Sequence, residues 1–213
     1  MFSAILWDND GVLVDTEKYY FQATRETLAE VHVELTEALF RELFLDRSLG
    51  AWHLAQEKGV PVEDIKKLRD TRNALYLKLL QESDIAIDGV EETLQKLKQK
   101  FKMGIVTSSH KTPFETIHAR TGFLPFFDLV LIREDYQRSK PDPEPYLRAT
   151  ELLHLKPEET LAIEDSKRGM IAAKRAGLTC WVIPNGLTSA DDFSEADRVL
   201  TNVREVASLL LES

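Results

Sequence analysis

Cysteine is almost absent: Cys180 is the single one, so no disulfide can form within the chain. That scarcity fits a reducing compartment, and its setting in Thr179-Cys180-Trp181-Val182-Ile183 reads as a small buried hydrophobe. Nowhere do eighteen apolar residues run together, which argues against a helical membrane span. The first apolar segment has no basic flank before it and is too short for the apolar region of a signal peptide. Cations are in deficit as well, with 27 Lys plus Arg against 36 Asp plus Glu and a net charge of −9. A chain of that sign is repelled by nucleic acid and by anionic membrane surfaces, so a small substrate is the expected partner. Internal repeats and low-complexity segments are missing too. The expectation is a cytoplasmic protein whose 213 residues can bury one full core and carry an insertion.

What is present begins with Phe2 to Trp7, a short apolar run that reads as a buried strand leading into Asp8-Asn9-Asp10-Gly11. From Asp15 to about Asp84 the sequence offers helix-like pieces and no convincing strand: Thr16 to Val31, Thr36 to Phe44, Ser48 to Lys58 and Val62 to Glu82. Thr36 is placed as an N-cap, Gly59 follows a helix, and Pro61 opens the last one. From Ala86 onward helices and strands alternate, with strands at Met103 to Thr107, Leu129 to Ile132, Leu161 to Glu164, Cys180 to Ile183 and weakly around Val199. Alternation of this kind implies right-handed crossovers and a parallel sheet covered on both faces. The fold expected is α/β, a doubly wound Rossmann-like core (residues 1–14 and 87–213) with an all-helical cap (residues 15–86) inserted after the first strand. Ligands in such sheets bind outside the carboxyl ends of the strands, so the insertion is expected to serve as a lid there.

Those strand ends carry the chemistry. Asp8 and Asp10 can converge on one crevice because Gly11 lets the chain turn, although an acidic pair beside glycine is also an ordinary turn. Thr107-Ser108-Ser109 offers hydroxyls and N–H groups suited to phosphate oxygens, or a plain helix cap. In Ser139-Lys140-Pro141-Asp142-Pro143 two prolines restrain the backbone after a lysine that could balance negative charge, or that could simply be solvated. Glu164-Asp165 after an apolar strand is costly unless a cation offsets it; joined with Asp8 and Asp10 it makes the oxygen-rich shell that Mg²⁺ prefers. An acidic helix N-terminus is the other reading of that pair.

Together, Asp8-x-Asp10-Gly11, Thr107-Ser108, Lys140-Pro141 and Glu164-Asp165, in this order and around a helical insertion, resemble the haloacid dehalogenase superfamily, in its phosphatase and phosphomutase branch. The resemblance covers the whole chain. It implies Asp8 as the nucleophile that forms an aspartyl phosphate, Asp10 as general acid and base, and Thr107, Ser108 and Lys140 as binders of the phosphoryl group. It implies Mg²⁺ held by Asp8, Glu164, Asp165 and the backbone carbonyl of Asp10. Dehalogenating and phosphonate-cleaving members lack an acid at the position of Asp10, so both activities are disfavoured. Phosphatase and hexose-phosphate mutase of the β-phosphoglucomutase type share all four motifs. Here Tyr20 stands where that mutase has histidine, and Phe44-Leu45-Asp46-Arg47-Ser48-Leu49 keeps an arginine but lacks the mutase's glycine. These departures favour a phosphatase acting on a small phosphate monoester, expected to be a monomer, with Arg47 and Tyr20 as the candidate substrate residues of the cap.

Overall fold

The structure is a computed structural model that describes residues 2–47 and 49–212, with the backbone alone at Asp46. Strand β1 (Ala4–Trp7) is buried at every position, as its unbroken apolar sequence requires. The chain then leaves for the helical unit, residues 16–84. This comprises α1 (Glu17–Ala29), α2 (Glu37–Phe40), a π-helical turn (Arg41–Asp46), α3 (Trp52–Glu57) and α4 (Val62–Glu82). Thr36 caps α2 by accepting from the Leu39 N–H at 3.2 Å. Thr16 stands at the N-cap position of α1 but makes no side-chain cap hydrogen bond. The third helix is shorter than expected. Gly50 has φ +70°, a left-handed conformation that halts helix propagation, and α3 begins only at Trp52. Ser48, the expected start, lies outside the described residues.

The second unit, residues 1–15 and 85–213, holds the sheet. After β1 come α5 (Val90–Leu97), β2 (Lys102–Val106), α6 (Lys111–Thr121), β3 (Leu129–Leu131), α7 (Glu144–Leu153) and β4 (Thr160–Glu164). They are followed by α8 (Lys167–Arg175), β5 (Thr179–Val182), β6 (Arg198–Val199) and α9 (Arg204–Leu211). The six strands run parallel in the order β3-β2-β1-β4-β5-β6, a doubly wound Rossmann-like sheet. Helices cover it with apolar stripes: α5 buries Val90, Leu94 and Leu97 at helical spacing, and α8 buries Gly169, Met170, Ala172 and Ala173, small residues that let it approach closely. Cys180 is fully buried in β5. Among the described residues no helix is long and apolar enough to cross a membrane.

Strand order reverses between β1 and β4, the position at which sheets of this kind bind ligands outside the carboxyl ends of their strands. Register aligns those ends, since Trp7 pairs with Ile105 of β2 and with Ile163 of β4. Asp8 therefore leaves β1 level with Val106-Thr107 on one side and Glu164-Asp165 on the other.

Candidate active site

Lys140 is 3 % exposed, and its ammonium donates to Asp8 Oδ1 (2.9 Å), Glu164 Oε1 (2.7 Å) and the Val106 carbonyl (2.8 Å). One cation thus ties the ends of β1, β2 and β4 together. Burial alone would lower the lysine's pKa, but the two carboxylates hold it above the ordinary lysine range. Burial raises the carboxyls of Asp8 and Glu164, and Lys140 opposes that shift in both. Tyr146, the fully buried tyrosine on the inner face of α7, donates to Glu164 Oε1 at 2.5 Å and lies 5.1 Å from the Lys140 ammonium, ring centroid to Nζ.

Asp10 follows two residues after Asp8, where Gly11 has φ +86° and turns the chain. Its Oδ2 accepts from the Thr107 hydroxyl at 3.2 Å and from the Asn9 side-chain amide at 3.3 Å. Thr107 is in turn fixed: its Oγ1 accepts from the Ser109 N–H (3.0 Å), and its carbonyl accepts from the Tyr136 hydroxyl (2.8 Å). Beneath Asn9 lies His118, whose Nε2 is 2.9 Å from Asn9 Oδ1 and whose Nδ1 is 2.9 Å from Thr121 Oγ1. Burial pushes the imidazole down to about 4.

The donor set suits a hard divalent cation. Asp8, Glu164 and Asp165 each present a carboxylate oxygen, all within 4.8 Å of one another. Three carboxylates against one ammonium leave a formal charge of −2 in a buried place, a surplus that two positive charges would cancel. Glu164 Oε2 is buried without a hydrogen-bond partner among the described residues, as is the Ser108 hydroxyl. Asn185, which sequence reasoning did not single out, donates to both Asp165 Oδ2 (3.1 Å) and the Gly11 carbonyl (2.8 Å) and so joins the acid to the Asp10 turn. Two glycines make room: a Cβ on Gly11 would lie 2.1 Å from Asp165 Oδ2, and one on Gly169 would lie 2.0 Å from Glu164 Oε2.

The structure therefore gathers Asp8, Asp10, Thr107, Lys140, Glu164 and Asp165, with Ser108 next to Thr107, at one sheet edge. His110 points elsewhere and pairs with Glu134 at 2.8 Å on the surface. Within the helical unit, Arg47 pairs with Glu42 (2.9 Å) and remains largely exposed, while Tyr20 packs edge-on against Phe44 and Tyr76 beneath the Arg72 guanidinium, 4.3 Å away. Tyr146, Asn185 and His118 left no signal in the sequence because none belongs to a short motif, and Asn9 fell on the unassigned position of Asp8-x-Asp10-Gly11.

Comparison with known proteins points to one family. The family described as Haloacid dehalogenase-like hydrolase matches residues 5–183. YhcW of Bacillus subtilis is 32 % identical, covering 99 % of this chain and 96 % of its own. The phosphorylated carbohydrates phosphatase of Thermotoga maritima is 30 % identical, with 98 % of each chain covered. Among solved structures, that of a CbbY variant from Rhodobacter sphaeroides in complex with xylulose-(1,5)bisphosphate superimposes with a TM-score of 0.81 at 26 % identity, covering 96 % of each chain. The six-stranded parallel sheet, the strand-end acids and lysine, and these likenesses place the chain among the haloacid dehalogenase-like hydrolases, in their phosphatase and β-phosphoglucomutase-like branch.

Proposed function

We propose that this protein is a Mg²⁺-dependent phosphohydrolase that cleaves a small phosphate monoester, a phosphorylated sugar by preference, through an aspartyl phosphate on Asp8. The observation that carries the proposal is the single buried ammonium of Lys140 bridging Asp8 and Glu164, with Asp10 held separately by Thr107. Two carboxyls two residues apart thus have different surroundings, the condition for one to act as nucleophile while the other handles protons.

In the first half-reaction an Asp8 carboxylate oxygen bonds to phosphorus as the ester P–O bond breaks, and Asp10 gives its proton to the departing alkoxide. Lys140 stabilises the charge that gathers on the transferring group, and Thr107 and Ser108 bind its oxygens. In the second, Asp10 takes a proton from the water that attacks phosphorus, the Asp8–phosphorus bond breaks, and inorganic phosphate leaves. Asp8, Glu164, Asp165 and the Asp10 carbonyl would hold Mg²⁺, which when bound supplies positive charge to nucleophile and phosphate alike. The sugar-phosphate preference follows two of the relatives above, one named for phosphorylated carbohydrates and one captured with a xylulose bisphosphate.

The test is phosphate release from a panel of small phosphate monoesters, with Mg²⁺ and with EDTA, alongside Asp8→Asn. Turnover that requires Mg²⁺ and disappears in the variant is the expected result. Absence of release from every ester, together with conversion of β-glucose 1-phosphate to glucose 6-phosphate, would instead establish a mutase.

A further inference from the structure

Resting on that reading, we infer that Asn185 is a positioning residue for the cation site, a polar clasp that holds Asp165 against the Asp10-Gly11 turn and so sets the preference for Mg²⁺ over the larger Ca²⁺. Its side-chain nitrogen donates to the Gly11 carbonyl at 2.8 Å and to Asp165 Oδ2 at 3.1 Å. A backbone carbonyl only accepts, so the first bond alone fixes the NH₂ end of the amide toward the turn. The two N–H groups of one rigid amide therefore tie the turn after β1 to the acid at the end of β4.

Both sides of this clasp are held in place. Thr188 is fully buried; its hydroxyl oxygen accepts from the Asn185 N–H at 3.1 Å, and its own N–H donates to the Asn185 carbonyl at 2.8 Å. One residue thus restrains Asn185 at both of its backbone polar groups. The Thr188 carbonyl accepts from the Asp191 N–H at 2.9 Å, and Asp191 Oδ2 accepts from the Lys167 N–H at 3.4 Å, which returns the loop to the start of α8 beside Asp165. On the other side the Gly11 N–H donates to the Val14 carbonyl at 2.7 Å. That N–H shares a planar trans peptide with the Asp10 carbonyl and points opposite to it, so the same bond aims the carbonyl proposed as a ligand. A Cβ on Gly11 would lie 2.5 Å from Asn185 Nδ2, so only glycine admits the amide this close.

Selectivity follows from this rigidity. Mg²⁺ demands near-ideal octahedral geometry with oxygens at roughly 2.0–2.1 Å, whereas Ca²⁺ accepts roughly six to eight oxygens at about 2.3–2.6 Å in flexible arrangements. An Asp165 clasped to the turn is kept from swinging outward to the wider shell. Asn185 is neutral and both cations are divalent, so removing the amide leaves their electrostatic attraction alike, and a difference between them reports fit.

The experiment measures Mg²⁺ and Ca²⁺ dissociation constants by calorimetry, without substrate, for wild type, Asn185→Leu, Thr188→Val and the double variant. Asn185→Leu keeps the bulk and removes both donors. It should weaken Mg²⁺ binding by about 10–100-fold, the usual effect of losing a group that orients a ligand, and Ca²⁺ binding by less than about threefold. Thr188→Val should shift the ratio of the two constants the same way by a smaller factor. The double variant should match Asn185→Leu, because Thr188 acts through Asn185. Equal weakening of both cations, no weakening, or additive effects in the double variant would refute the role. If Asn185→Leu does not fold, Thr188→Val decides alone, an unchanged ratio being the refuting result. A wild type that binds neither cation overturns the metal reading and this role together; a wild type that binds Mg²⁺, with variants that bind it equally well, overturns the role alone.

Discussion

Replacing Lys140 by Met tests the central ion cluster through stability rather than turnover. Methionine keeps most of the apolar stem, so the change is chiefly loss of the ammonium. Asp8 Oδ1, Glu164 Oε1 and the Val106 carbonyl each lose a donor within 2.9 Å, and two buried carboxylates lose their shared cation. Breaking a buried pair on one side costs about 3–5 kcal/mol, a large share of the roughly 5–15 kcal/mol that holds a domain together. The deficit must also depend on pH. Burial already raises the Glu164 carboxyl above its ordinary 4.5, and Lys140 is the group that restrains it. Without the lysine the native state holds a proton at pH values where the unfolded chain has released it, so stability is lost as pH rises above about 4.5. Toward pH 5 the deficit should shrink, by up to about 1.4 kcal/mol per pH unit for each carboxyl that titrates. The assay is urea unfolding of the Trp52→Phe background with and without Lys140→Met in EDTA between pH 5 and 8, followed by emission of the remaining Trp7 and Trp181, both in the sheet unit. A deficit below about 1 kcal/mol at pH 8, or one that is flat across the range, would refute the reasoning.

Gly169→Ala should destabilise by about 1–3 kcal/mol through overpacking, although alanine is the better helix former by about 1 kcal/mol, because its Cβ meets a Glu164 carboxylate already held by Lys140 and Tyr146; a raised Tm would contradict this. His118, held at about 4 against an ordinary 6.5, leaves the native state short of a proton that the unfolded chain binds, so stability is lost as pH falls through that window. The loss approaches about 3 kcal/mol near pH 4, and denaturation curves of His118→Gln should lack that slope; parallel pH dependence in both proteins would show the histidine to be solvated. Mg²⁺ at a hundred times its Kd should stabilise the wild type by about 2.7 kcal/mol and Asp165→Asn far less, a difference readable as a thermal shift. Equal shifts in both would remove Asp165 from the ligand set.

Sequence alone was sufficient for the elements whose cause is local. Apolar runs such as Ile5 and Leu6 mark strands buried on both faces, and Thr36 and Gly59 mark helix ends, because capping and left-handed turns are decided within a few residues. The acids and hydroxyls at strand ends were legible for the same reason, each lying in a short motif that a parallel sheet must bring to one edge. Tertiary structure alone decided what stands behind them. Tyr146 reaches Glu164 from 18 residues away, Asn185 reaches Gly11 from 174 and His118 reaches Asn9 from 109. No local pattern encodes such pairs. Their partners are chosen by helix packing and sheet register, and a buried polar group is satisfied by whatever donor the fold places within about 3 Å of it. The late start of the third helix belongs to the same class: Gly50 was free to be helical in sequence terms, and only the folded chain shows it in a left-handed conformation.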